Sequence, residues 1–128
     1  EPSWWYFFDE AFYWSTKSEC ALYLHDPATA LGAIDEAMRR FDLSNVHNLA
    51  FVTLERAEAY VQQSNVADAS RAIGEAAVLA SANTSTRIDH RIAGLRAALA
   101  PHQRSKPVRD LDEVLGTYRR SMSGNCRT

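Results

Sequence analysis

An internal repeat constrains this chain more than any other feature. Residues 11–40 lie over residues 50–79 without a gap, at an offset of 39. Nine of the thirty aligned pairs are identical: Ala11/Ala50, Phe12/Phe51, Glu19/Glu58, Ala28/Ala67, Ala30/Ala69, Ala33/Ala72, Ile34/Ile73, Glu36/Glu75 and Ala37/Ala76. Alanine matches are common by chance in helical sequence, so the Phe, Ile and two Glu pairs in the same register carry the case. The turn signals coincide as well, Asp26-Pro27 over Asn65-Val66. Two helices approach closely only where side chains are small. Ala30 and Ala37, like Ala69 and Ala76, stand seven apart on one helix face, with Ile34 or Ile73 between them. One such hairpin cannot bury both of its faces, so hairpins stack, and about three are needed for stability.

The rest of the chain fits this plan. A first helix is predicted from about Ser3 to Leu24, and Pro27 starts a second that ends near Phe41. A third spans about Val46 to Gln62 and a fourth Ala67 to Ala80, separated by Ser64-Asn65. Asn83-Thr84-Ser85 offers caps for a fifth, whose stripe is Ile88, Ile92, Leu95 and Leu99. Pro107 starts a sixth, with Val108, Leu111, Leu115 and Tyr118 on one face. The expectation is an all-α domain over residues 1–120, with about six helices in antiparallel hairpins (about 3–41, 46–80 and 84–120). Residues 121–128 are expected to form a flexible tail.

Composition removes several function classes. Apolar residues make up 46% of the 128, enough for a core. No apolar run approaches the ~20 residues of a membrane span, and no basic-then-apolar leader opens the chain. A cytoplasmic protein is expected on that ground. Two cysteines, Cys20 and Cys126, build neither a disulfide scaffold nor a zinc site. Cys20 aligns with Ala59 and is expected in the core as a small residue. His25, His47, His90 and His102 show no ligand spacing. There is no Gly-rich loop, nucleophile elbow or carboxylate pair, so neither an enzyme nor a cofactor is expected. Residues 1–83 hold five bases and twelve acids, and residues 84–128 nine bases and four acids. The basic end is read as solvated surface, without direct nucleic-acid contact.

The pattern resembles the tetratricopeptide repeat, which implies a right-handed superhelix of stacked antiparallel hairpins. The first repeat presents Trp14, Lys17-Ser18, Ala21, then Ala30, Ile34 and Ala37; the second presents Thr53, Arg56-Ala57, Tyr60, then Ala69, Ile73 and Ala76. Lys17 and Arg56 stand where the family has Leu, and the offset of 39 exceeds the family's usual spacing. The likeness covers residues 9–83, and residues 87–120 look like a degenerate third pair. A narrower likeness rests on Trp5, Phe8, Asp9, Glu10, Ala11 and the hairpin that follows. It is to the C-terminal helical-repeat region of actinomycete-type helix-turn-helix transcriptional regulators. That likeness implies a piece of a longer regulator, with the DNA-binding part before Glu1, and a role in binding a peptide or partner chain or in self-association.

Candidate site residues follow from both arguments. By resemblance, first helices line the inside of the superhelix. The ligand-facing positions fall on Phe12, Ser15, Glu19, Leu22 and Tyr23, and in the second repeat on Phe51, Leu54, Glu58, Val61 and Gln62. A ladder of Phe and Glu suits a peptide with apolar anchors and basic side chains; the competing reading is that Phe12 and Phe51 pack the hairpin seam and the Glu side chains are simply solvated. Eight of thirteen aromatic residues crowd into positions 4–14. Their arc is wider than the ~100° apolar face of a lone amphipathic helix. Phe7, Phe8 and Trp14 are expected to pack on the second and third helices. Trp4, Trp5 and Phe12 stand open between core and contact surface; Trp4, Trp5 and Phe8 form a candidate interface for a homodimer. A stand-alone adaptor that docks one protein through this aromatic face is the alternative. A small-molecule pocket among Trp4, Phe8 and Trp14 is a third option.

Overall fold

Each turn that joins the helices of the first two hairpins is built around one left-handed residue. Among the described residues, His25 (φ 57°) and Ser64 (φ 59°) are the non-glycine residues in this region of backbone space. Around His25, Asp26 N–H donates to Ala21 O at 2.8 Å and His25 N–H to Leu22 O at 3.1 Å. Around Ser64, Asn65 N–H donates to Tyr60 O at 2.9 Å and Ser64 N–H to Val61 O at 3.0 Å. This is the Schellman closure, which satisfies carbonyls that a helix end would leave orphaned. The next residue caps the following helix. Asp26 Oδ1 accepts from Thr29 N–H, and Asn65 Oδ1 from Asp68 N–H, each at 3.3 Å. A left-handed residue followed by an N-cap reverses the chain with almost no loop.

The computed structural model describes the backbone of residues 3–40, 46–81 and 86–126, and the side chains of 13–40, 49–81 and 86–118. Six helices follow one another: α1 (Ser3–Tyr23), α2 (Pro27–Arg40), α3 (Val46–Gln62), α4 (Val66–Ala80), α5 (Thr86–Ala98) and α6 (Lys106–Cys126). A short 3₁₀ turn, Ala100–His102, joins the last two. They pack as sequential antiparallel pairs, and no sheet occurs among the described residues. α6 runs past residue 120 to Cys126, where a flexible tail was expected. Once a helix is nucleated, each added residue brings a further hydrogen bond, which offsets weak formers such as Ser121, Ser123 and Gly124.

The repeated alanines lie where the small-residue argument puts them. Ala30, Ala33, Ile34 and Ala37 of α2 are buried, and so are Ala69, Ala72, Ile73 and Ala76 of α4. A main core runs through α3 to α6, from Ala50 and Leu54 to Ile88, Ile92, Val108, Leu111 and Leu115. A smaller one joins Ala21 and Leu22 of α1, Ala30 of α2 and Ala59 of α3. Helix α3 touches α1, α2, α4 and α5, which is why even Thr53 and Glu55 on it are buried. Thr53 donates its hydroxyl proton to Leu49 O at 2.7 Å, within its own helix.

Two expectations fail at the first helix. Cys20 is exposed. Its repeat partner Ala59 is buried because α1 covers it, whereas among the described residues no helix covers the matching side of α1. Trp14 is half-buried rather than a core ring. Lys17 Nζ lies 5.0 Å and Arg40 Cζ 5.7 Å from its ring centroid, so a cation of its own helix and one at the end of α2 both lie within cation–π reach of it.

Candidate interaction surfaces

At about 100° per residue, Phe51, Glu55, Glu58 and Gln62 fall on one strip of α3. This strip faces α1 on one side and α5 on the other, and the structure laces it to both. The Ser18 hydroxyl of α1 is hydrogen-bonded to Glu55 Oε2. Gln62 Nε2 donates to Leu22 O of α1 at 2.8 Å. On the other side, Arg91 of α5 pairs with Glu58 Oε2 at 2.8 Å, and the Arg87 guanidinium lies 5.2 Å from the Phe51 ring centroid. The acids Glu19, Glu55 and Glu58 thus lie beside the bases Arg87 and Arg91 along one face of α1, α3 and α5.

Nine of the ten predicted groove positions have described side chains, and these separate into three groups. Glu19 and Tyr23 are exposed, Tyr23 at 85%. Ser15, Phe51, Glu58, Val61 and Gln62 are half-buried, Phe51 and Val61 against the main core. Leu22 and Leu54 are buried in the core and present no surface to a ligand, which corrects their assignment to the groove. The reason is rotational. Leu54 is three residues beyond Phe51 and Leu22 three beyond Glu19, a step that swings each side chain about 60° around the helix toward its packed side. The side chains of Phe12, Trp4, Trp5 and Phe8 lie outside the described residues.

Sequence reasoning passed over Glu55, which is only 6% exposed. Burial pushes its carboxyl up to about 7, and nearby Glu19 and Glu58 push the same way, against the Ser18 hydrogen bond and Arg91. Its i+4 relation to Phe51 was the available signal. The repeat hid it, because the equivalent position in the first hairpin is the exposed Thr16. At the far end of the domain, the Tyr118 hydroxyl donates to Asp89, which ties α6 to α5. Burial and that bond push the phenol up to about 12. Arg96 adds a two-pronged pair with Asp112, at 2.6 and 3.0 Å.

A second surface was not foreseen. Between α4 and α6 lies an open groove of about 810 Å³, whose apolar lining includes Ala67, Gly74, Val78, Leu79, Leu111 and Val114. Val78 is 63% exposed. Arg71, Glu75, Lys106 and Asp110 stand on its rims. Arg71 is paired with Asp68 and Lys106 with Asp110, so the rims present both signs and no single charge signature.

No group of three or more His, Cys, Asp or Glu is placed to hold a metal ion among the described residues. No described helix is long and apolar enough to cross a membrane. Comparison with protein-family models, with curated proteins and with solved structures finds no match for this chain.

Proposed function

We propose that this chain is a protein-interaction domain, a tetratricopeptide-like superhelix of three stacked hairpins that binds a peptide or partner chain on the face of α1, α3 and α5. The observation that supports it most is the repetition of the hairpin turn, bond for bond, at an offset of 39. Stacked identical hairpins leave a continuous strip of first-helix side chains along one face, the geometry that suits an extended or helical peptide. Glu19 and Tyr23 are its exposed members, and half-buried Phe51 and Glu58 continue the strip toward α5. The acidic balance of residues 1–83 favours a ligand with basic side chains. The resemblance to helix-turn-helix regulators supports placing the domain in such a protein as its sensor or dimerisation part, with the aromatic residues Trp4, Trp5 and Phe8 as a self-association face.

Selection from a random-peptide display library against the folded domain tests this reading. Enrichment of sequences that combine basic and apolar residues is expected, with binding abolished by Glu19→Lys. Selected peptides that bind Glu19→Lys and wild type equally contradict it. Glu19 and Tyr23 suit such variants because both are exposed. Phe51 and Glu58 do not, since changing them also disturbs packing or the Arg91 pair.

A further inference from the structure

Ser18 and Ala57 occupy equivalent places in the two hairpins, and both are fully buried. A serine where its repeat partner is alanine brings a hydroxyl into a packed seam, which costs free energy unless the hydroxyl is hydrogen-bonded. Two acceptors lie within reach of Ser18 Oγ: Ser15 O at 3.0 Å, and Glu55 Oε2. A hydroxyl carries a single proton. Were Glu55 a carboxylate, that proton could serve one of the two, and the other contact would set oxygen lone pairs against each other. Were Glu55 a neutral acid, its O–H would donate to Ser18 Oγ and the Ser18 O–H to Ser15 O. Each contact then has its own proton, and the buried carboxyl carries no charge.

We infer that Glu55 holds a proton in the closed structure and that its ionisation weakens the docking of α1 on α3, making the Ser18–Glu55 contact a proton-operated latch on the first hairpin. The surrounding charges agree. Glu19 faces it from α1, Glu58 lies one turn along α3, and Arg91 reaches toward it from α5. Arg91 is engaged with Glu58, so the field at Glu55 favours the neutral form. The rise of this carboxyl to about 7 puts the latch in the neutral range. With Glu55 ionised, α1 keeps the Gln62–Leu22 bond and its apolar contacts with Ala30 and Ala59. The buried network at Ser18 is then one proton short. The latch concerns the α1–α3 seam and holds whatever the domain binds.

Carbon-detected NMR titration of the wild-type Glu55 carboxyl, with hydrogen exchange of the α1 amides over the same pH range, tests this. The expected midpoint is near 7. After correction for intrinsic exchange, α1 protection is expected to fall about tenfold per pH unit from pH 5 toward 7 and to level off above it. In Glu55→Gln, whose amide can still donate to Ser18 Oγ, corrected protection is expected to be flat across that range. A midpoint below 5 overturns the proposal. So does a midpoint near 7 with α1 protection unchanged by pH. If Glu55→Gln does not fold, the two wild-type measurements decide alone.

Discussion

His25 and Ser64 stand 39 residues apart in the chain and hold the same left-handed backbone at the same point of two hairpins. Neither is glycine, the residue that usually occupies this position. An L side chain there costs about 1 kcal/mol or more. His25→Gly and Ser64→Gly are each predicted to stabilise the domain by about 1 kcal/mol, less glycine's entropy cost in the unfolded chain. Because the two turns are separate, the double variant should show the sum of the single effects in urea denaturation.

Helix glycines give the opposite case. A Cβ added at Gly32 of α2 or Gly94 of α5 meets nothing within 4 Å, and at Gly74 of α4 it meets Leu111 and Val114 at an ordinary 3.8 Å. Replacement by alanine should raise stability by about 0.5–1 kcal/mol at Gly32 or Gly94, through helix propensity alone. Thermal unfolding of the single variants checks this.

Ile34 and Ile73 are the fully buried wedges between the alanines of α2 and α4. Ile73→Ala is predicted to cost about 2–5 kcal/mol, the range for emptying a packed site. Ile34→Ala should fall in the same range if the hairpins are equivalent. Chemical denaturation of both variants compares them directly.

The pH dependence follows from the sign of the Glu55 shift. Its carboxyl is raised from 4.5 to about 7 in the folded chain, so the folded state holds more protons than the unfolded state between those values. Its contribution is fully present below about 4.5 and is lost as pH rises to about 7, an effect on the order of 3 kcal/mol. The difference in unfolding free energy between wild type and Glu55→Gln, measured from pH 4.5 to 8, isolates this from other titrating groups. A difference that does not vary with pH contradicts it.

The hairpins were legible in the sequence because their cause is local and recurrent. Small residues at seven-residue spacing around Ile34 and Ile73 need no knowledge of the neighbouring helix to be recognised. What stayed hidden depended on neighbours. Cys20 and Ala59 share a register, but one faces a packed helix and the other does not. Leu22 and Leu54 lie one rotational step from the groove, a difference set by which side of the helix its partner covers. The counterpart of Glu55 in the first hairpin is Thr16, not an acid, so no repeat argument could mark it. Its significance comes from Ser18, 37 residues earlier, on a helix that only folding brings alongside. The α4–α6 groove needed the third pair, the least regular part of the repeat, to be placed.

Docking of a partner on the face of α1, α3 and α5 is the proposal from which the functional reading starts. It is tested most directly by mapping amide chemical-shift changes in the labelled domain on titration with a display-selected peptide. The largest changes are expected at Glu19, Tyr23, Phe51 and Glu58, along one continuous strip. Changes confined to Val78, Leu111 and Val114 in the α4–α6 groove, with that strip undisturbed, would contradict it.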